Sequence, residues 1–189
     1  MSKKNSGQGT AVAAALDSAV VNRSLSQAKS PGLFCVELSN LFHLRLNEIA
    51  LLRLQKGLLR FLFPEELKIA GSIPISSSTA VAAHTAISKK VELFNNFVRV
   101  KHISIFETIK LNQEEESTSS DQVRIQKLMS APILNADDKV LGVIQVCRKG
   151  NNLNSCGPDF TLDDLRLLEL AAKSVSKMPF MNEPSPKAS

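Results

Sequence analysis

From Ile125 to Val175 the order of apolar runs and breaker residues leaves few folds open. Ile125–Leu134 reads as a strand ending in Ser130-Ala131-Pro132-Ile133-Leu134. Asn135–Lys139 is a turn, and Val140–Arg148 is a second apolar run closed by Lys149-Gly150. Two such runs on either side of a short polar turn predict a β-hairpin. A polar loop then leads to Gly157-Pro158-Asp159-Phe160-Thr161, where a helix begins. Thr161 followed three residues later by Asp164 is close to a capping box, in which each side chain satisfies a backbone N–H near the helix start. Within that helix Leu165, Leu168, Ala172 and Val175 recur at helical spacing, and Leu167, Leu170 and Ala171 widen the stripe. One side is expected to pack on the sheet and another to meet a second subunit.

Upstream, Ser30-Pro31-Gly32 is a helix start. The serine can accept from an unpaired backbone N–H, and proline fits the first helical position, where its missing N–H costs nothing. The spacing of Phe34, Leu38, Leu41, Phe42 and Arg45 predicts a helix over Pro31–Leu46. Ile49–Leu54 and Leu58–Phe63, separated by Gln55-Lys56-Gly57, predict a second hairpin, and runs this apolar predict a sheet covered on both faces. Ala80–Ser88 reads as a short alanine-rich helix, Val91–Asn95 as a short strand and Asn96–Lys101 as a turn or helix. Ile103–Lys110 is read as irregular with a short helix, and Asn112–Asp121 as a solvated loop. Helices and hairpins in this order predict an α+β fold with an antiparallel sheet.

With 189 residues, one domain with tails is expected. Residues 1–29 form an N-terminal tail and helical extension, 30–180 the domain, and 181–189 a C-terminal tail. The net charge of +5 is spread over Lys3, Lys4, Arg23, Lys29 and Lys187 among others, without a dense basic run or an aromatic-plus-basic platform. The reading is a solvated surface, with no nucleic-acid partner. Ala11–Val21 is apolar but short and interrupted by Asp17, so neither a membrane span nor a signal peptide is read there. Cys35, Cys147 and Cys156 are odd in number and lack Cys-x-x-Cys spacing, which fits a reducing, cytoplasmic setting. His43, His84 and His102 stand singly, so no metal site is expected, and no cofactor is read. Ser76–Ser78 could cradle an anion at a helix start, or simply cap the helix.

Three pieces carry a family resemblance: Ser130-Ala131-Pro132-Ile133, then Gly142-Val143-Ile144-Gln145-Val146-Cys147-Arg148-Lys149, then Phe160-Thr161-Leu162-Asp163-Asp164. In this order and at this spacing they resemble the C-terminal half of a GAF domain, a small-molecule-sensing fold. The resemblance extends by pattern over about Pro31–Met178. It implies a central antiparallel sheet of about six strands. The N- and C-terminal helices would pack on one face, with loops and short helices on the other. It also implies a ligand pocket walled by Phe94–Phe106 and Met129–Pro132, with Phe94, Phe97, Val98, His102, Phe106, Met129 and Pro132 as lining residues. A cyclic-nucleotide signature of the family matches at Lys149, Phe160 and Asp164. Arg148 and Leu165 stand where that signature has Asn and Glu, so it is incomplete. Read physically, Lys149, Phe160 and Asp164 form a structural clamp, with Lys149 pairing with Asp164 at the positive end of the helix.

The expected function is a sensory or regulatory small-molecule-binding module without catalytic residues. It would signal through a helical homodimer or a partner protein. Thr10–Ala28, with Val12, Leu16, Ala19 and Val20, would join Pro31–Leu46 and Thr161–Met178 in the dimer face. Two alternatives stand beside it. One is an enzyme of the free methionine-R-sulfoxide reductase kind, which needs a reactive thiolate and a resolving thiol. The other is a structural interaction module whose pocket is filled by Phe side chains.

Overall fold

A computed structural model describes residues 23–99 and 124–182. Residues 23–26 are helical. The elements that follow are α1 (Pro31–Phe42), β1 (Ile49–Gln55), β2 (Leu58–Phe63), α2 (Leu67–Ala70), β3 (Ser72–Pro74), α3 (Val81–Ser88), β4 (Glu92–Phe94), β5 (Arg124–Leu134), β6 (Val140–Gly150), α4 (Leu162–Val175) and α5 (Pro179–Asn182). Single 3-10 turns occur at Leu46–Glu48 and Phe97–Arg99. The strands form one sheet in the order β3-β2-β1-β6-β5-β4, antiparallel throughout. The α+β class and the six-stranded antiparallel sheet agree with the sequence reading.

Local chemistry explains the elements. Ser30 accepts from the Leu33 N–H at 3.2 Å and Pro31 opens α1. The helix ends at Phe42, short of the expected Leu46, because His43 turns left-handed at φ 51° and both His43 and Leu44 donate back to the Ser39 carbonyl. Arg45 therefore lies outside the helix. Lys56 and Gly57, at φ 50° and 77°, give the two-residue turn that matches strand twist, so Gln55 pairs with Leu58. At Gly142 the sheet closes on bare backbone: a Cβ there would stand 2.0 Å from the Leu52 carbonyl oxygen. β3, α2 and α5 were not anticipated from the sequence.

Two hydrophobic cores lie on opposite faces of the sheet. On one face α1, α4 and α5 cover Ile49, Leu51, Met129, Ala131, Ile133, Ile144 and Val146. Leu25 and Ala28, at 1% and 7% exposure, join this core. The residues just before α1 therefore pack on their own domain and are not reserved for a partner. Leu168, Ala172 and Val175 are buried here, as the spacing of α4 predicted. Met181 is also buried here, one residue beyond the expected domain end. On the other face α3 lays Val81, Ala82, Ala83 and Ala86 over Ala50, Leu52, Leu59, Phe61, Leu128, Val143 and Cys147. Residues 10–22, most of the expected Thr10–Ala28 helix, lie outside the described residues, as do Ile103–Lys110 and Asn112–Asp121.

Candidate functional site

The α3 face of the sheet carries a row of polar side chains in an otherwise apolar wall. Gln145 of β6 lies opposite Ser130 of β5, and Ser130 lies opposite Glu92 of β4. Above the row sits Thr85 of α3. Thr85 and Ser130 are fully buried and Gln145 is 4% exposed. Thr85 Oγ1 lies 2.6 Å from Glu92 Oε2 and 2.7 Å from Ser130 Oγ. Thr85 has one hydroxyl proton and an ionised carboxylate can only accept. Thr85 therefore donates to Glu92, and the Ser130 hydroxyl donates to Thr85. Gln145 Nε2 donates to Ser130 Oγ at 3.3 Å, which completes a one-way chain ending on the carboxylate. His84 Nδ1 lies 2.9 Å from the other Glu92 oxygen and reaches solvent. Bonds aligned in one direction polarise one another, and a buried network is stable only when its members are satisfied in this way.

Around this row the structure sorts the predicted lining residues. Phe97 is 2% exposed in the α3-side core, and Phe94 packs edge-on against it with ring centroids 6.0 Å apart. Val98, next in the chain, is 58% exposed and is no wall residue among the described contacts. Met129 belongs to the opposite face, buried against the terminal helices. Strand alternation sends Leu128 and Ser130 one way and Met129 the other, so Met129 cannot share a pocket with Phe97. Pro132 lines a surface groove of about 460 Å³ with Lys89, Lys90, Val91, Leu134, Glu169, Ala172 and Lys173. That places it at the β5 end beside α4. His102 and Phe106 lie outside the described residues. The Ser76–Ser78 run does not cap α3: the N-cap is Ala80, without a side-chain cap bond.

The expected Lys149–Asp164 pair is replaced by two separate arrangements. Lys149 Nζ donates to the Asn47 carbonyl at 2.7 Å, while the Asp164 carboxylate accepts from the Thr161 N–H and hydroxyl at 2.7 and 2.8 Å. With the return bond from Asp164 N–H to Thr161 Oγ1 this is a complete capping box, so Asp164 is spent on its own helix. The junction before α4 is clamped by other residues. Asn95 forms a two-way bridge to the Phe160 backbone, accepting at 2.9 Å and donating at 2.9 Å. Lys127, its side chain only 5% exposed, pairs with Asp159 at 2.7 Å and donates to the Gly157 carbonyl. Phe160 is 3% exposed and lies under the Arg148 guanidinium, 4.8 Å from the ring centroid. Asn95, Lys127 and the Thr85–Glu92 contact escaped the sequence reading. Their signal was polar residues breaking an apolar alternation, at Lys127, Ser130 and Gln145.

Chemistry elsewhere is sparse among the described residues. No group of three His, Cys, Asp or Glu could hold a metal ion, and no helix is long and apolar enough to cross a membrane. None of the three cysteines forms a disulfide. Cys35 and Cys147 are fully buried in the two different cores, and burial pushes the Cys35 thiol well above its ordinary pKa.

The family model described as GAF domain matches residues 36–177. Among curated proteins, none matches the sequence. Among solved structures, the GAF domain of a phosphoenolpyruvate-protein phosphotransferase from Coxiella burnetii is similar at TM-score 0.61 and 10% identity, over 86% of this chain and 92% of that one. The corresponding GAF domain from Acinetobacter is similar at TM-score 0.60 and 12% identity, over 85% and 89%. The fRMsr of Staphylococcus aureus in complex with substrate is similar at TM-score 0.52 and 14% identity, over 85% and 94%. At these identities the likeness is one of fold alone. Because the family match spans most of the residues and the six-stranded sheet follows the same architecture, the chain belongs to the GAF domain family.

Proposed function

We propose that this GAF domain is a regulatory small-molecule-binding module without catalysis. Its ligand would sit on the α3 side of the sheet, beside Phe94 and Phe97, and read the polar row. Output would pass through a helical dimer interface or a partner protein. The observation that carries this reading is the placement of Gln145, Ser130 and Thr85 within an apolar wall. A few fixed polar groups in such a wall are what a small-molecule site needs for orientation and selectivity. A thermal-shift screen against nucleotides, cyclic nucleotides, amino acids and organic acids tests it. A ligand at 100 times its dissociation constant stabilises by about 2.7 kcal/mol, and Gln145→Leu should abolish that gain. If no compound in the panel raises the melting temperature, and native mass spectrometry of the purified protein finds nothing retained, the pocket reading fails and a filled interaction module replaces it.

The reductase reading is favoured by fold likeness to reductases such as the staphylococcal enzyme. Cysteine placement supports the non-catalytic reading, because the sheet separates Cys35 from Cys147 and a resolving thiol must reach its partner. Reduction of free methionine sulfoxide that is lost in a Cys156→Ser variant would reverse this assignment. The dimer is tested by light scattering on the intact chain and on a form lacking residues 1–22, which spares the core residues Leu25 and Ala28. Association should weaken in the shortened form, and a monomeric intact chain would remove the dimer from the proposal.

A further inference from the structure

The face of the sheet opposite the polar row holds a cation that the domain does not neutralise. Arg148 leaves β6 on the side of Phe160 and stacks on that ring. Among the described residues no hydrogen bond or ion pair reaches its guanidinium, and its Nε is buried without an acceptor. The neighbouring cation shows the contrast: Lys127, directly across the strand pair from Arg148, is paired with Asp159 and bonded to the Gly157 carbonyl. The buried Nε shows that the domain supplies this guanidinium with no acceptor, and its terminal nitrogens, which are not buried, are the donors that an external acceptor can reach from a surface cavity.

Such a cavity is present. An open hollow of about 650 Å³ is lined by Arg148 together with Arg45, Lys149, Glu48, Ser155 and Cys156, among others. Three cations therefore meet one carboxylate, and that carboxylate is already committed. Glu48 accepts from the Arg45 guanidinium at 2.8 Å and from the backbone N–H groups of Arg45 and Lys149 at 2.9 and 2.7 Å. Arg45 uses only one of its terminal nitrogens, Nη2, in these contacts and in its bond to the Lys149 carbonyl, and its side chain is 59% exposed. The side chains of Arg45 and Arg148 thus bring unspent donors to one hollow. On the loop side, a side chain added at position 157 would stand 3.2 Å from Arg148 Nη1, so the bare backbone there leaves the guanidinium room.

We propose that this hollow is a binding site for a phosphate monoester, with Arg148 as the fork that grips the phosphoryl oxygens and Arg45 and Lys149 as supporting charge. A phosphate monoester near neutral pH carries close to two negative charges and three acceptor oxygens, which suits the unspent donors of two guanidinium groups better than a single carboxylate does. The stacking of Arg148 on Phe160 fixes the plane of the fork, and Phe160 precedes the N-cap of α4. Occupancy would tighten the junction between β6 and α4. The site lies on the other face of the sheet from the pocket proposed above and is independent of it.

The test follows the Arg148 Nε–Hε resonance in the intact chain during titration, at fixed ionic strength, with inorganic phosphate, glycerol phosphate, acetate and chloride. The Arg148→Lys variant assigns the signal by losing it. Saturable shifts are expected with phosphate and glycerol phosphate at millimolar concentrations or below, and only weak, linear ones with acetate and chloride. Arg148→Lys keeps the charge and loses the fork, so calorimetry should show phosphate affinity about tenfold weaker, while the melting temperature without ligand serves as the folding control. No saturable shift with either phosphate would overturn the site. Equal shifts with acetate would overturn phosphate as its ligand, and unchanged affinity in Arg148→Lys would overturn the role of Arg148.

Discussion

Glu48 offers the sharpest energetic test of how the domain is held together. The residue is 4% exposed and sits between α1 and the first strand, and its carboxylate ties the backbone of Arg45 to that of Lys149, 104 residues later. Burial opposes its charge, but bonds from the Arg45 guanidinium and from the backbone N–H groups of Lys149 and Arg45 outweigh burial and hold its pKa below the usual carboxylate range. Arg45 is largely exposed, so the ion pair itself contributes little after screening, and the two backbone bonds dominate. Glu48→Gln keeps the shape but turns one oxygen into an amide that faces an N–H donor. Losing one hydrogen bond to a charged acceptor costs about 1.5–3 kcal/mol. In a domain of this size that lowers the melting temperature by about 3–10 °C. A pKa held down in the folded state gives stability that is present above the unfolded value, near 4.3, and is lost as pH falls through the folded value. The gap between wild type and Glu48→Gln should therefore be full at pH 7 and close progressively below about pH 4. Urea titrations from pH 7 down to pH 3 measure it. A gap that stays constant across that range, or none at pH 7, would refute the assignment of the stabilisation to the charged carboxylate.

Leu168, with no exposed surface in the core under α4, should cost about 2–5 kcal/mol as Leu168→Ala, read from the shift in urea midpoint. Gly142→Ala drives a methyl group into the Leu52 carbonyl, and the expected outcome is insoluble or unfolded protein by circular dichroism; a natively folded variant would show that β1 and β6 can part there. Lys149→Ala and Asp164→Ala should be additive in a double-mutant cycle, since each binds different backbone groups, with Asp164→Ala costing about 0.5–2 kcal/mol through the lost cap. A coupling well above experimental error would restore the direct pair.

The elements that could be read from the sequence are those whose signal is local. The Lys56-Gly57 turn, the Ser30-Pro31 helix start and the Thr161–Asp164 box each place their own backbone, and each forms where expected. Strand alternation was legible too, but which parity faces which helix is settled only when the sheet folds. Met129 and Phe97 therefore fall on opposite sides, against the shared pocket that the resemblance implies. β3 is only three residues long, and its pairing with β2 comes from tertiary contact that no periodicity in Ser72–Pro74 announces. The clamp failed for a related reason. Lys149 and Asp164 are complementary in charge, yet Lys149 finds the Asn47 carbonyl, 102 residues earlier, and Asp164 its own helix start, so the junction is tied by Asn95 and Lys127, whose partners lie 65 and 30 residues away.

The alanine face of α3 has a mechanical corollary. Ala82, Ala83 and Ala86 present a smooth surface to the sheet, without long side chains to interlock with the strands below. Packing of that kind sets the distance between helix and sheet well but indexes position along the helix axis poorly. The index mark is the Thr85 hydroxyl, seated between Ser130 and Glu92 at hydrogen-bonding distance from both. It works as a detent: a displacement of α3 by even half a turn, about 2.7 Å, unseats it from both partners at once, so the helix rests at one notch and not along a continuum.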